Sequence, residues 1–558
     1  MLSVLPDKVE ELQDLLITKD NLLSEKEEVI QAKETYISEL EKKNEILIEK
    51  IKLFEKYRYG RSSEKWTEED EAQLILFNEA ETAVDEAVAE EELEVKEIKV
   101  SGYTYKVNKR GKSIPDDIPR NEIVHELTEE ERRCSKTECP KYSECQKLRP
   151  ILGKEESEEL KYIPATIEAE KHIRYSYGQI KCEYLEDDEN IPAVIRAPRE
   201  KRLIPGSIAT PSLLAYVAVS KFSDALPFYR QERLFSRIGI EISRQTMSNW
   251  MIKASSAMAE YIKLLEQWVL SSRLLNMDET TLQVLHEVGK PVQSKSYMWI
   301  RVGNSVDDNG NERKIILFNY FRDRKKERVE ALTEGYKGII QTDGYSGYDE
   351  KGSEKGIWHV GCWAHARRKF NDAYKGSSKG KMALTGLGYI QKLYAIERRL
   401  RKEDLKEEEF VLKRRQEAIP VLKKFIKWMK AKEKVVVPES LAGKAISYTL
   451  NEYVKLVRYL KYAYITPDNN VAERGVKPFT IGRKNWLFNN TPSGAYASAT
   501  MYSLIETAKA NNLEPYRYME KLFEKIPEAE RKEDLERLLP WNMEGVPPLK
   551  LVERNDSS

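Results

Sequence analysis

RLLNMDETTLQVL (273–285), SYMWIRVG (296–303), RKIILFNYF (313–321), KGIIQTDGYSGYD (337–349) and GIWHVGCWAHARRKF (356–370) follow one another along the chain, and these five runs decide the fold. Each is rich in β-branched and aromatic residues and is bounded by turn-forming ones, which reads as a strand. Three antiparallel-type strands come first. A fourth ends in an acidic residue, and a fifth leads into a helix. That is the order of a ribonuclease H-like mixed sheet, so a multidomain α+β fold is expected, with helices around such a sheet. Asp278 lies inside the first strand and Asp343 at the end of the fourth. The two strands are neighbours in that order, so both carboxylates can point into one cleft. Any single acid among 93 is ordinarily a solvated surface charge. An acid within an apolar strand is different, because burying its charge is costly unless a metal or partner compensates.

Two aspartates call for a third ligand. Magnesium, or manganese in its place, takes oxygen ligands, and a shared trio of carboxylates can hold two such ions. The best candidate is Glu473, in ITPDNNVAERGVKPFTIGRKNWLF (465–488). There Asp468, Asn469 or Asn470 can cap a helix whose early turns carry Glu473, Arg474 and Lys477. Arg474, Lys477, Arg483 and Lys484 would meet backbone phosphates while the glutamate faces the metals. After the fifth strand, His365, Arg367 and Arg368 form a second cationic group suited to a scissile phosphate, although a histidine at a strand-to-helix junction is more often structural.

Upstream, residues 204–260 return to helical periodicity. Two helices joined by a tight turn at Gly239, the second capped by Ser243, give a helix-turn-helix pattern. Its second helix would present Arg244, Gln245, Ser248 and Asn249 to a DNA groove while Met247 and Trp250 face the core. An ordinary helical hairpin fits the same text.

Further out, apolar residues recur every seventh position at Val9, Leu16, Leu23, Ile30, Ile37 and Ile51, with Asn44 in the series and no glycine. Residues 1–57 therefore read as a coiled coil for self-association, and the lone asparagine favours a defined oligomer, a dimer. Residues 58–100 are acidic and aperiodic, a linker. Residues 101–203 carry short β-type runs and a cysteine cluster, suggesting a small β-rich module, and 516–558 form a C-terminal helical tail. Lysine plus arginine and aspartate plus glutamate both total 93, so net charge points to no polyanionic partner and local basic clusters must do so. No run of about eighteen apolar residues appears, and the N-terminus lacks a secretory signal, so no membrane association and a cytoplasmic location are expected.

DETTLQVL at Asp278, QTDGYSGYD around Asp343, HVGCWAHARRKF from His359 and DNNVAERGVKPFTIGRKNWLF from Asp468 together resemble transposases of the insertion sequence 66 family. LPFYRQERLF (226–235), the segment from Tyr502, GRSSEK from Gly60 and the leading heptads extend the resemblance over nearly the whole chain. It implies a DDE-type transposase, with Asp278, Asp343 and Glu473 as catalytic acids in a domain of about 270–515 and a helical insertion at about 380–464. The text there is helical and basic. The implied chemistry is metal-dependent DNA strand cleavage followed by strand transfer. The implied partners are the terminal repeats, target DNA and small companion proteins, in a bacterial cell where the bound protein joins the nucleoid. A purely hydrolytic ribonuclease H-like nuclease, or an inactive DNA-binding remnant, would share much of this sequence.

The family commonly carries a zinc module of paired CxxC motifs, and this chain departs from it. Cys134, Cys139 and Cys145 are irregularly spaced and Cys182 has no close partner, with His125 or His172 as alternative ligands. Four thiolates could still close a tetrahedral structural Zn²⁺ site; otherwise the module keeps free thiols.

Overall fold

The computed structural model describes residues 5–59, 167–173, 175–178, 194–196, 200–306, 312–348, 356–376 and 380–550. The chain divides into two units, one of them Ala87–Arg199. Among its described residues, that unit has one antiparallel strand pair, Ser176–Gly178 with Val194–Arg196, in which Tyr177 lies opposite Ile195. Cys134, Cys139, Cys145, Cys182 and His125 lie outside the described residues, as do residues 60–100 of the expected linker. His172 is described, and its Nε2 sits 3.4 Å from Glu170.

In the other unit, α1 (Leu5–Tyr59) is followed by four helices, α2 (Pro211–Phe222), α3 (Phe228–Arg237), α4 (Arg244–Ala257) and α5 (Ala259–Leu270). The sheet strands come next: β1 (Leu274–Gln283), β2 (Lys295–Val306) and β3 (Glu312–Phe321), then α6 (Lys326–Leu332), β4 (Gly338–Gln341) and β5 (Ile357–Val360). After them run α7 (Trp363–Gly376), α8 (Lys381–Lys402), α9 (Glu407–Glu433), α10 (Leu441–Leu456), α11 (Asn470–Trp486), α12 (Pro492–Ala510), α13 (Pro515–Lys525) and α14 (Lys532–Glu536). Hydroxyl side chains start four of these helices. Thr210, Ser243, Ser440 and Thr491 each accept the backbone N–H three residues on, at 3.3, 3.1, 3.1 and 3.2 Å. Each satisfies a donor that the first turn leaves without an internal partner. Gly239 turns the chain from α3 to α4 at φ +80°, where a side chain would be strained.

The five strands form one mixed sheet in the order β3-β2-β1-β4-β5. β2 pairs antiparallel with β1 and β3, while β4 pairs parallel with β1 and β5. The β1–β4 pairing runs from Leu274↔Ile339 to Asn276↔Gln341 and stops there. Asp278 and Asp343 each lie two residues beyond that last matched pair, so parallel register brings them out level with one another.

Helices close both faces. On one, Arg301 of β2 is buried and its Nη2 meets Glu266 of α5 at 2.7 Å. On the other, Gly475 of α11 backs onto Ile300, the residue paired with Asp278, so the helix lies close against β2. The outer edge of β3 is covered by α12. Ser503 accepts from Phe318 N at 2.8 Å, Thr507 both accepts from Ile316 N and donates to Ile316 O, and Asn511 does the same for Lys314. Four residues of helix advance about 6 Å and two residues of strand about 6.6 Å, so a stripe at every fourth helix position can serve alternate strand residues. The edge groups that would otherwise seek another chain are thereby occupied.

Between β5 and α11, helices α8, α9 and α10 pack on α7 around Trp363, Phe370, Ile390, Leu422 and Phe425. Arg414 is buried in this bundle, 2.7 Å from Glu397, and donates to the Tyr459 and Tyr462 carbonyls. α1 is continuous. Near its end Glu49 accepts the Leu441 backbone N–H at 3.3 Å. Its seventh-position residues Leu16, Leu23, Ile30, Ile37 and Ile51 are between 48 and 58% exposed. Among the described residues, no helix is long and apolar enough to cross a membrane.

Candidate active site

β1 brings Asp278 to the end of the β1–β4 pairing, where its Oδ1 accepts the Glu279 N–H at 2.9 Å. Asp343 leaves β4 in a turn whose Tyr345 N–H its Oδ1 accepts at 3.0 Å. Glu473, 6% exposed, is presented by the first turn of α11. The helix begins at Asn469, whose side chain makes no capping bond; Asp468 Oδ1 instead accepts the Asn470 N–H at 3.2 Å. The charge of Asp343 acts on both Asp278 and Glu473. Burial pushes the Asp278 carboxyl well above the usual carboxylate range, and the charges of Glu279, Asp343 and Glu473 push it further. Burial also raises Glu473, against the pull of Arg368 and with the help of Asp468 and Asp343. Buried acids raised by the charge of neighbouring acids are short of positive charge.

Cations and an imidazole border the cluster. Arg324 pairs with Glu279 and lies 3.9 Å from Asp343, and its guanidinium stacks 3.8 Å from the Tyr345 ring centroid. Tyr348 donates to Glu279 at 2.8 Å. Arg368 Nη2 sits 3.6 Å from Glu473 Oε2 and His365 Nδ1 lies 3.7 Å from Glu473 Oε1. Burial, with Arg368 beside it, lowers His365 to about 4, so the ring is neutral at pH 7. Among the described residues, Glu473 Oε1 and His365 Nδ1 are buried and find no hydrogen-bond partner. Two acceptor-capable atoms left facing one another in this way are suited to a cation. The donor set fits two chemistries. Asp278, Asp343 and Glu473 offer only oxygen, as magnesium or manganese requires. Cys362, His365 and Glu473 have ligand atoms within 4.8 Å of one another, a mixed set that suits softer ions. Cys362 Sγ, however, already accepts the Asn469 N–H at 3.2 Å, and burial holds its thiol well above the ordinary value.

Of the phosphate candidates, Arg474, Lys484 and Arg368 are exposed and Lys477 and Arg367 half-buried. Arg483 departs from expectation, since its Nη1 is bound to Thr280 Oγ1 at 3.0 Å and to the Thr281 carbonyl, tying α11 to β1. On α4, Arg244, Gln245 and Asn249 are exposed, Ser248 is half-buried, and Met247 and Trp250 are buried. Glu279, Arg324 and Cys362 were not expected at this site. Glu279 adjoins Asp278 and Cys362 lies in the motif that carries His365, but Arg324 has no local signal.

Comparisons with known proteins agree over most of the chain. Residues 206–497 match the model described as Transposase IS66 family, residues 503–541 the IS66 C-terminal element, and residues 46–123 the model described as Transposase C of IS166 homeodomain. Uncharacterized protein y4qI of Sinorhizobium fredii is 28% identical over 510 residues, covering 88% of each chain. Uncharacterized protein y4hP of the same organism is 26% identical over 517 residues, covering 89% of this chain and 88% of its own. No solved structure matches. With a family model spanning more than half its length, on the segment that holds the sheet and the acidic cluster, this chain belongs to the IS66 transposase family.

Proposed function

We propose that the protein cuts DNA strands at the ends of its insertion sequence and joins the freed 3′ ends to target DNA, using Asp278, Asp343 and Glu473 to hold two divalent cations, magnesium or manganese. The observation that carries this reading is the parallel register that leaves Asp278 and Asp343 level beyond the last β1–β4 pair, with the charge of Glu473 acting on Asp278. The strand order supports a ribonuclease H-like core. Bound cations would activate the attacking oxygen and stabilise the leaving one in an in-line displacement at phosphorus.

The chain's own groups supply the rest. Arg368, 3.6 Å from Glu473, would meet a phosphate held beside the acidic cluster. Neutral His365 can accept a proton or a hydrogen bond at Nδ1. Arg474, Lys477 and Lys484 run along α11 from the acidic cluster outward and would track a backbone. The helix pair α3–α4 serves as a helix-turn-helix for the terminal repeats through Arg244, Gln245, Ser248 and Asn249. The exposed seam of α1 pairs two copies as a coiled coil, so that two ends are held together.

Strand joining separates this reading from simple hydrolysis. A pre-cut end with a free 3′-hydroxyl, incubated with the protein, Mg²⁺ and target DNA, is expected to yield a joined product. Cutting that proceeds while joining never occurs would leave a nuclease instead.

A further inference from the structure

Behind the carboxylates lies a buried chain of side-chain amides drawn from three elements. Asn276 of β1, Gln341 of β4 and Asn469 at the start of α11 are 4%, 0% and 1% exposed. Asn276 spends both N–H groups on the other two, donating to Gln341 Oε1 at 3.1 Å and to Asn469 Oδ1 at 2.9 Å. Asn469 Nδ2 donates to the Met277 carbonyl at 2.8 Å, and Gln341 Nε2 to the Thr466 carbonyl at 2.8 Å. The Asn469 backbone is held as well, its N–H by Cys362 Sγ at 3.2 Å, while its carbonyl accepts the Glu473 N–H at 3.2 Å.

Each amide stands a defined step from one acid. Asn276 is two residues before Asp278 on the same strand face, and Gln341 is two before Asp343. Asn469 is four before Glu473, one helical turn away. No amide in the chain can be flipped without setting oxygen against oxygen, so the hydrogen bonds determine a single arrangement. We propose that Asn276, Gln341 and Asn469 are positioning residues that lock β1, β4 and α11 together and so set the three carboxylates at the spacing a divalent cation needs. The inference rests on the reading of those carboxylates as the metal site. Groups that orient metal ligands from behind typically contribute about 10- to 100-fold in metal affinity.

The test measures Mn²⁺ binding to the full-length protein by the loss of the free-ion electron paramagnetic resonance signal, beside thermal unfolding. Five proteins are compared: wild type, Asp278→Asn, Asn276→Ala, Asn469→Ala and Ser503→Ala. The last removes a buried hydrogen bond at the far edge of the sheet. Wild type should bind Mn²⁺ and Asp278→Asn should lose that binding. Asn276→Ala and Asn469→Ala should weaken it about tenfold or more, whereas Ser503→Ala should lower the melting temperature and leave affinity unchanged. If an alanine variant does not fold, Asn276→Thr, which keeps one donor, should give an intermediate loss. Wild-type affinity in the folded amide variants, or in Asn276→Thr, would overturn the positioning role. Mn²⁺ affinity falling equally in Ser503→Ala would overturn it too, by making the loss a general effect of destabilisation. Wild-type binding by Asp278→Asn would show instead that the carboxylates are not the metal site, and both readings would fall.

Discussion

Asp278 illustrates what an acidic site does to the protein that carries it. Its carboxyl is raised by burial and by the charges of Glu279, Asp343 and Glu473. A folded-state value above the unfolded one means that folding favours the protonated acid. Stability is therefore fully present at low pH and is lost as pH rises through the raised value. In metal-free buffer the Asp278→Asn protein should be more stable than wild type at pH 8, by on the order of 1 kcal/mol, and the difference should shrink toward pH 4. Urea unfolding at the two pH values measures this; a less stable variant at pH 8 would show that the acid cluster carries no such cost. Adding Mg²⁺ should stabilise wild type more than the variant, since a ligand stabilises only the state that binds it.

At the scale of the elements, the covered edge of β3 gives a second expectation. Thr507→Val keeps the shape of the side chain but strands the Ile316 N–H and carbonyl that it serves. It should cost about 1–3 kcal/mol in urea unfolding without altering metal affinity. Elements were also where the sequence was most readable. Five strands and the Gly239 turn with its Ser243 cap follow from local period and turn chemistry, whereas the expected strand order came from comparison with a ribonuclease H-like sheet and the helical insertion from the family resemblance. The site was less so. Asp278 and Asp343 stand out because they interrupt or end apolar strands. Glu473 follows mainly from resemblance, since three helices of insertion separate its helix from the sheet. The amide lock joins residues as far apart as Asn276 and Asn469, and only their polarity in buried text, LLNM and IIQT, hinted at it. Arg324 gave no hint because its partner, Glu279, is met only after the strands pair.

For the whole molecule, α1 and the acidic cluster make separate demands. The apolar seam of α1 is exposed at Leu16, Leu23, Ile30, Ile37 and Ile51, an arrangement suited to a second copy. Replacing Ile30 and Ile37 together with lysine should shift the protein toward monomer in sedimentation equilibrium while the melting temperature of the core is retained. An unchanged mass would mean that the seam does not mediate association. The most direct measurement of the central claim is Mg²⁺-dependent cutting of a labelled terminal-repeat duplex by wild type and by Asp278→Asn, Asp343→Asn and Glu473→Gln, with duplex binding followed in parallel. Each amide should reduce cutting by about a thousandfold or more while binding stays within about twofold, because metal ligation and phosphate contact use different side chains. Cutting at the wild-type rate by any one of the three would contradict the assignment of that residue, and by all three the account of the site.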